Sequence, residues 1–183
     1  MPFTLFLASA SAAKPQAKAL AAALSSDTVR FLPWWEAFPA GRTLLSELEA
    51  IRSKVHGALL VVTPDTSSVY RARPVEIPNL NVLFEFGYFY GAFPKERVAI
   101  VKYGEYHLPN NLDGYIHIFG SKSFNRNRAL PVSRRTHSEF ARWLPAVGRK
   151  KPQPQPYGVQ VQQEPRQTRR RSYGLTDLIH KLA

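Results

Sequence analysis

One carboxylate stands out in this chain. The run Asn81-Val82-Leu83-Phe84-Glu85-Phe86-Gly87-Tyr88-Phe89-Tyr90-Gly91 is almost wholly apolar, yet Glu85 sits inside it. A carboxylate among apolar neighbours needs hydrogen-bond partners or a pocket mouth. Apolar surroundings raise its pKa, and nearby donors lower it. Read as a helix, the run puts Asn81, four residues before, and Tyr88, three after, on the same face as Glu85. Two readings stand level on these residues. One is a single acid at a binding edge, flanked by an amide and a phenol. The other is a buried Glu that holds a loop N–H or an arginine. Gly87 and Gly91 read as a small face that packs close to a sheet. Trp34-Trp35 is the second feature. Each indole N–H wants a partner, so one ring either stacks on a planar ring or a neighbouring subunit, or anchors its loop.

Common catalytic signatures are missing. Cysteine is absent, which excludes disulfides, thiol nucleophiles and Cys-based metal sites. No Gly-rich phosphate loop with Lys-Ser/Thr follows the first strand, and there is no GxGxxG fingerprint. There is no GxSxG elbow. His56, His107, His117, His137 and His180 show no metal-site spacing, so no metal is expected.

The elements that must position Glu85 alternate between strand and helix. Phe3–Ala8 reads as strand one, and Pro15 opens a helix with Ala17, Leu20, Ala21 and Leu24 at helical spacing. Residues 29–32 read as strand two, followed by an aromatic loop over 33–41. Leu44, Leu45, Leu48, Ile51 and Val55 form one apolar helical stripe, which Gly57 is placed to end. Residues 58–62 are apolar throughout, as in a strand covered on both faces. Residues 66–80 look irregular, with Pro74 and Pro78 inside them and Pro64 just before. A buried helix over 81–93, strands at 98–101 and 115–119, and a helix from Thr136 follow. Thr136 and Glu139 have capping-box spacing. Five strands with intervening helices predict a doubly wound α/β sheet, with ligands beyond the carboxyl ends of the strands.

The chain has 183 residues, 44% of them hydrophobic, enough for one core and a tail. The reading is one domain over 1–147, a basic Pro/Gln/Arg-rich linker over 148–172, and a short amphipathic helix over 173–183, docked or opening a further domain. Net charge is +12. Residues 1–121 carry 11 Lys/Arg and 10 Asp/Glu, whereas residues 122–183 carry 14 and 3. The basic excess is thus C-terminal, suited to a polyanion contact over 122–171 or to a solvated tail. No apolar run reaches the length of a membrane span, and a cytoplasmic location is expected.

Several segments together resemble a known family. They are Phe6-Leu7-Ala8-Ser9, the Trp34/Trp35…Phe38…Gly41 loop, Val61-Val62-Thr63-Pro64-Asp65, Asn81-Val82-Leu83-Phe84-Glu85-Phe86-Gly87, Lys95-Glu96-Arg97-Val98 and Leu108-Pro109-Asn110-Asn111-Leu112-Asp113-Gly114. Over Phe3 to Phe119 the chain resembles bacterial TIR-like (Toll/interleukin-1 receptor-like) domains of anti-phage defence, first described as predicted nucleotide-binding proteins and found fused to cyclic-nucleotide sensor domains. The resemblance implies a flavodoxin-like three-layer sandwich with a central five-stranded parallel sheet. It implies an NAD⁺ glycohydrolase that releases nicotinamide and ADP-ribose or a cyclised form, with Glu85 as the essential acid. NAD⁺ is then a substrate, and no resident cofactor is expected. Assembly into a homo-oligomer or filament, triggered by a fused or separate sensor of a cyclic nucleotide or nucleic acid, is also implied, with loop 33–42 contributing to a composite site. Ser9, Ser11, Trp34, Trp35, Phe38, Asn81, Tyr88 and Arg73 are the candidate NAD⁺-binding residues. Two departures stand out. Relatives commonly carry Arg at the position of Asn79, for which Arg71 or Arg73 is the candidate replacement. Thr66 stands where a second Asp is frequent. A non-catalytic scaffold and a nucleic-acid-associated module are the competing readings.

Overall fold

A computed structural model describes residues 2–38, 43–108 and 115–148. The elements are β1 (Phe3–Ser9), α1 (Lys14–Leu24), β2 (Val29–Pro33), α2 (Trp34–Ala37), α3 (Leu44–Arg52), β3 (Gly57–Val62), β4 (Pro64–Tyr70), β5 (Arg73–Pro78), α4 (Leu80–Ala92), β6 (Val98–Tyr103), β7 (Ile116–Ser121) and α5 (Arg134–Val147). Five strands form one parallel sheet in the order β2-β1-β3-β6-β7. This is the flavodoxin-like α/β sandwich that the sequence predicts.

Burial explains the strand composition. Every residue of β3 is buried, as are Leu5 to Ser9 of β1 and most of β6. Such strands lie in a sheet covered on both faces, where continuous apolar runs replace alternation. Helix α4 packs on β1, β3 and β6, α1 on β1 and β2, and α5 on β7. Phe6 of β1 meets Phe89 of α4 with ring centroids 4.9 Å apart, which fixes α4 against the centre of the sheet.

Several expectations are corrected. Residues 66–80 are not irregular: β4 and β5 pair as an antiparallel hairpin. Its two-residue turn is Arg71-Ala72, both with positive φ (50° and 60°). Such turns normally carry Gly or Asn, so no turn residue marks the hairpin. Its prolines lie on a two-stranded ribbon, where lost ladder bonds are tolerated. Gly57 does not end α3, which stops at Arg52; it opens β3. A Cβ there would collide with the backbone carbonyl of Arg97, so close approach between β3 and the start of β6 requires glycine. Gly87 and Gly91 do not pack on the sheet. Both are exposed, and a Cβ on Gly87 would meet nothing within 4 Å. The aromatic loop begins with the helical turn α2.

Helix α5 starts two residues before Thr136, and its cap is Ser133, whose Oγ accepts from the Thr136 N–H at 3.1 Å. Thr136 and Glu139 instead clamp β7. Thr136 Oγ1 donates to the Phe119 carbonyl at 2.7 Å, and Glu139 Oε2 accepts from the Phe119 N–H at 2.6 Å. Between β7 and α5 the chain is held by Gln16, which donates to and accepts from the backbone of Leu130 at 3.1 and 2.7 Å. The linker expected over 148–172 and the terminal helix expected over 173–183 lie, apart from Gly148 at the end of α5, outside the described residues.

Candidate active site

The site forms at the carboxyl edge of the sheet, where β1 and β2 end and α4 begins. Asn79 starts α4. Its Oδ1 accepts from the N–H groups of Asn81 and Val82 at 3.0 and 3.3 Å, satisfying two otherwise orphaned helix donors. Its Nδ2 donates to Asp65 Oδ2 at 3.1 Å. The cap thus ties the first turn of α4 to the segment leaving β3, and this sets where Glu85 falls, six residues on.

Glu85 lines a cleft of about 230 Å³. Ser9, Ala10 and Ser11 form one wall, from the end of β1 and the turn after it. Trp34, Phe38 and Leu44 form another, and Asn79, Asn81 and Val82 complete the α4 side. Trp34 Nε1 donates to Ser9 Oγ at 3.0 Å, so the indole is held by the neighbouring strand end. Trp34 and Trp35 meet edge to face at 5.8 Å. A second cleft of about 260 Å³, floored by Ile77, Pro78 and Leu80, adjoins the first across Asn79 and Asn81.

Glu85 is only 6% exposed. Its Oε2 has no hydrogen-bond partner among the described residues. Burial pushes its pKa up to about 7. A buried acid without a donor is costly for folding alone, and such groups cluster at functional sites. Among the described residues, no three of His, Cys, Asp and Glu gather closely enough to hold a metal ion.

The structure brings together Glu85, Ser9, Ser11, Trp34, Phe38 and Asn81, six of the nine residues that the sequence singles out. Trp35, Tyr88 and Arg73 do not line this cleft. Trp35 packs behind Trp34. Tyr88 stacks edge-on against Phe89. Arg73 is exposed beside the hairpin turn, paired with Tyr70. Sequence reasoning missed Ala10, Leu44, Asn79 and Val82 as lining residues. Asn79 carried a legible signal, an Asn immediately before an apolar helical run. Leu44 reads as core in its stripe but is 39% exposed at the cleft rim.

A five-stranded parallel sheet flanked by helices, with a cleft at its carboxyl edge, defines a flavodoxin-like α/β domain. The comparisons narrow this. The chain belongs to the TIR-domain family described as "CAP12/Pycsar effector protein, TIR domain", whose family model matches residues 4–121. It is similar to CD-NTase-associated protein 12 of Sphingobacterium faecium, 32% identical over 91 residues, covering 50% of this chain and 28% of that protein. It is also similar to protein tirC of Dictyostelium discoideum, 33% identical over 90 residues, covering 43% of this chain and 45% of that protein. An uncharacterized protein, YuaY of Escherichia coli, is 31% identical over 78 residues, covering 42% of this chain and 26% of that protein. The chain thus spans less than half the length of each of these relatives. No helix among the described residues is long and apolar enough to cross a membrane.

Proposed function

We propose that this TIR domain is the effector part of an anti-phage defence protein and hydrolyses the bond between nicotinamide and ribose in NAD⁺. The observation that carries this is Glu85, a buried acid that lines a cleft at the sheet edge and whose Oε2 has no partner among the described residues.

The chemistry asks little more than one such acid. The nicotinamide ring nitrogen is cationic, so the leaving group departs without a proton. The bond from that nitrogen to C1′ of the ribose breaks with its electron pair on nitrogen, and positive charge moves to the sugar. An ionised Glu85 accepts from ribose hydroxyls and balances that charge. Water then adds to C1′ and releases a proton, giving nicotinamide and ADP-ribose; an internal nucleophile in place of water gives the cyclised form. Two carboxyls, the usual glycosidase requirement, are unnecessary. Trp34, fixed by Ser9, offers a π face to the cationic ring.

Self-assembly is part of the proposal. Leu80 is 68% exposed and Phe84 52% exposed on α4 beside the cleft, with Gly87 next on the same face. Such a stripe suits contact with another copy. A sensor region or partner supplies the trigger, in keeping with the greater length of the relatives and with the CD-NTase association in one relative's name. Arg126 and Arg135 of the basic segment are engaged within the chain, by the Asp65 carbonyl and by Glu139.

The test is NAD⁺ consumption under assembly-inducing conditions, wild type against Glu85→Gln, with nicotinamide identified by chromatography. Loss of turnover in the variant supports the proposal. Unchanged NAD⁺ in an assembled wild-type sample favours the scaffold reading.

A further inference from the structure

The Glu85 cleft holds about 230 Å³. The second cleft, across Asn79 and Asn81, holds about 260 Å³. Each is smaller than the roughly 300–1,000 Å³ of a pocket that encloses a whole drug-sized ligand, whereas the two together fall within that range. A dinucleotide is two nucleosides joined by a diphosphate, so each cleft has the size for one half.

The lining of the second cleft fits a nucleoside. Ile77, Pro78 and Leu80 give it an apolar floor for a flat base. Asp65 also lines it and is half-buried. Its carboxylate uses one oxygen within the chain. Oδ2 accepts from Asn79 Nδ2 at 3.1 Å and from Thr66 Oγ1 at 3.5 Å. Oδ1 has no hydrogen-bond partner among the described residues. Because the capping residue Asn79 holds Oδ2, the carboxylate is oriented before any ligand arrives. A fixed acceptor beside an apolar floor matches a ribose, whose two vicinal hydroxyls donate to one carboxylate. The strip shared by the two clefts carries no acid. It is Asn79 and Asn81, at the positive end of the α4 dipole. A diphosphate that crosses from one cleft to the other thus meets amides rather than a carboxylate.

We propose that the second cleft receives the adenosine half of NAD⁺, with Asp65 Oδ1 accepting from the 2′- and 3′-hydroxyls of its ribose; this rests on the glycohydrolase reading above. Glu85 and Asp65 then divide one substrate between them, each acid facing one of its two riboses.

The experiment is ligand-observed NMR titration of the full chain with AMP, its 2′,3′-dideoxy analogue and nicotinamide mononucleotide. Wild type, Asp65→Asn and Glu85→Gln are compared, with thermal melts to verify folding. Asparagine keeps an oxygen for Asn79 and removes the free acceptor. Loss of a hydrogen bond to a charged group predicts AMP binding about tenfold weaker in Asp65→Asn and unchanged in Glu85→Gln. In wild type the dideoxy analogue binds about tenfold more weakly than AMP, and Asp65→Asn closes that gap. Nicotinamide mononucleotide shows the converse, sensitive to Glu85→Gln and indifferent to Asp65→Asn. No AMP binding by wild type, equal wild-type affinity for AMP and its dideoxy analogue, or equal AMP affinity in wild type and Asp65→Asn overturns the proposal. NAD⁺ turnover in assembled samples is followed in parallel. AMP binding that needs Asp65, without turnover, removes the glycohydrolase reading alone and leaves the cleft an adenine-nucleotide site. Turnover with AMP affinity indifferent to Asp65 removes this inference alone.

Discussion

Asn79 Nδ2 donates to Asp65 Oδ2 at 3.1 Å while its Oδ1 caps α4, so one amide uses both ends. Only an amide does this. Asp caps helices as well as Asn, but at position 79 it would set a second carboxylate against Asp65. Asn79→Asp is therefore expected to lose about 1–2 kcal/mol at pH 7, at least as much as the roughly 1 kcal/mol of Asn79→Ala. Part of the loss returns near pH 4, where a shared proton replaces the lost donor. Urea unfolding at both pH values measures it. An Asp variant as stable as wild type at pH 7 would show that the Asp65 contact contributes nothing.

Glu85 makes stability depend on pH. Its folded pKa of about 7 lies above the ordinary value of 4.5, so the folded state binds the extra proton between them. Stability from this group is unaffected below about 4.5, falls as pH rises toward 7, and is fully reduced above it. Glu85→Gln escapes the ionisation cost while keeping a buried polar group. It is expected to be more stable than wild type by about 1–3 kcal/mol at pH 8, and equal to it at pH 4. Identical unfolding curves at pH 8 would mean the carboxylate is solvated there.

The same acid shapes activity. The proposed role needs the ionised form, so kcat/KM for NAD⁺ is expected to rise with pH up to a plateau above about 7. The cationic nicotinamide favours the carboxylate in the complex, so the kcat profile turns at lower pH than kcat/KM. Pre-steady-state and steady-state rates from pH 5 to 9 test both. A kcat/KM that falls across this range would assign Glu85 a protonated role instead.

Much of this was legible in the sequence because burial writes itself into composition. The fully apolar run 58–62 could only be an interior strand, and the isolated acid in 81–91 was visible against its background. The hairpin was illegible because Arg71-Ala72 takes up positive φ without a glycine to announce it. Thr136 and Glu139 had capping-box spacing, yet tertiary contact with Phe119 claimed both side chains, and Ser133 took the cap. Arg73 was picked by charge and proximity in sequence, and the hairpin carried it away from the cleft.

Glycine spacing misled for a related reason, and two glycines now predict opposite outcomes. Gly87 faces open space on α4, so an added methyl removes backbone entropy from the unfolded chain and clashes with nothing. Gly87→Ala is expected to stabilise the isolated domain by about 0.5–1 kcal/mol. Gly57 opens β3 against the Arg97 carbonyl, where a methyl forces backbone to move. Gly57→Ala is expected to cost about 1–3 kcal/mol, as overpacking does. Urea midpoints of the two variants should therefore move in opposite directions from wild type. If Gly87→Ala instead destabilises the monomer, α4 packs more closely there than its exposure indicates. If it stabilises the monomer but weakens assembly, the Leu80–Phe84–Gly87 face is a contact between copies.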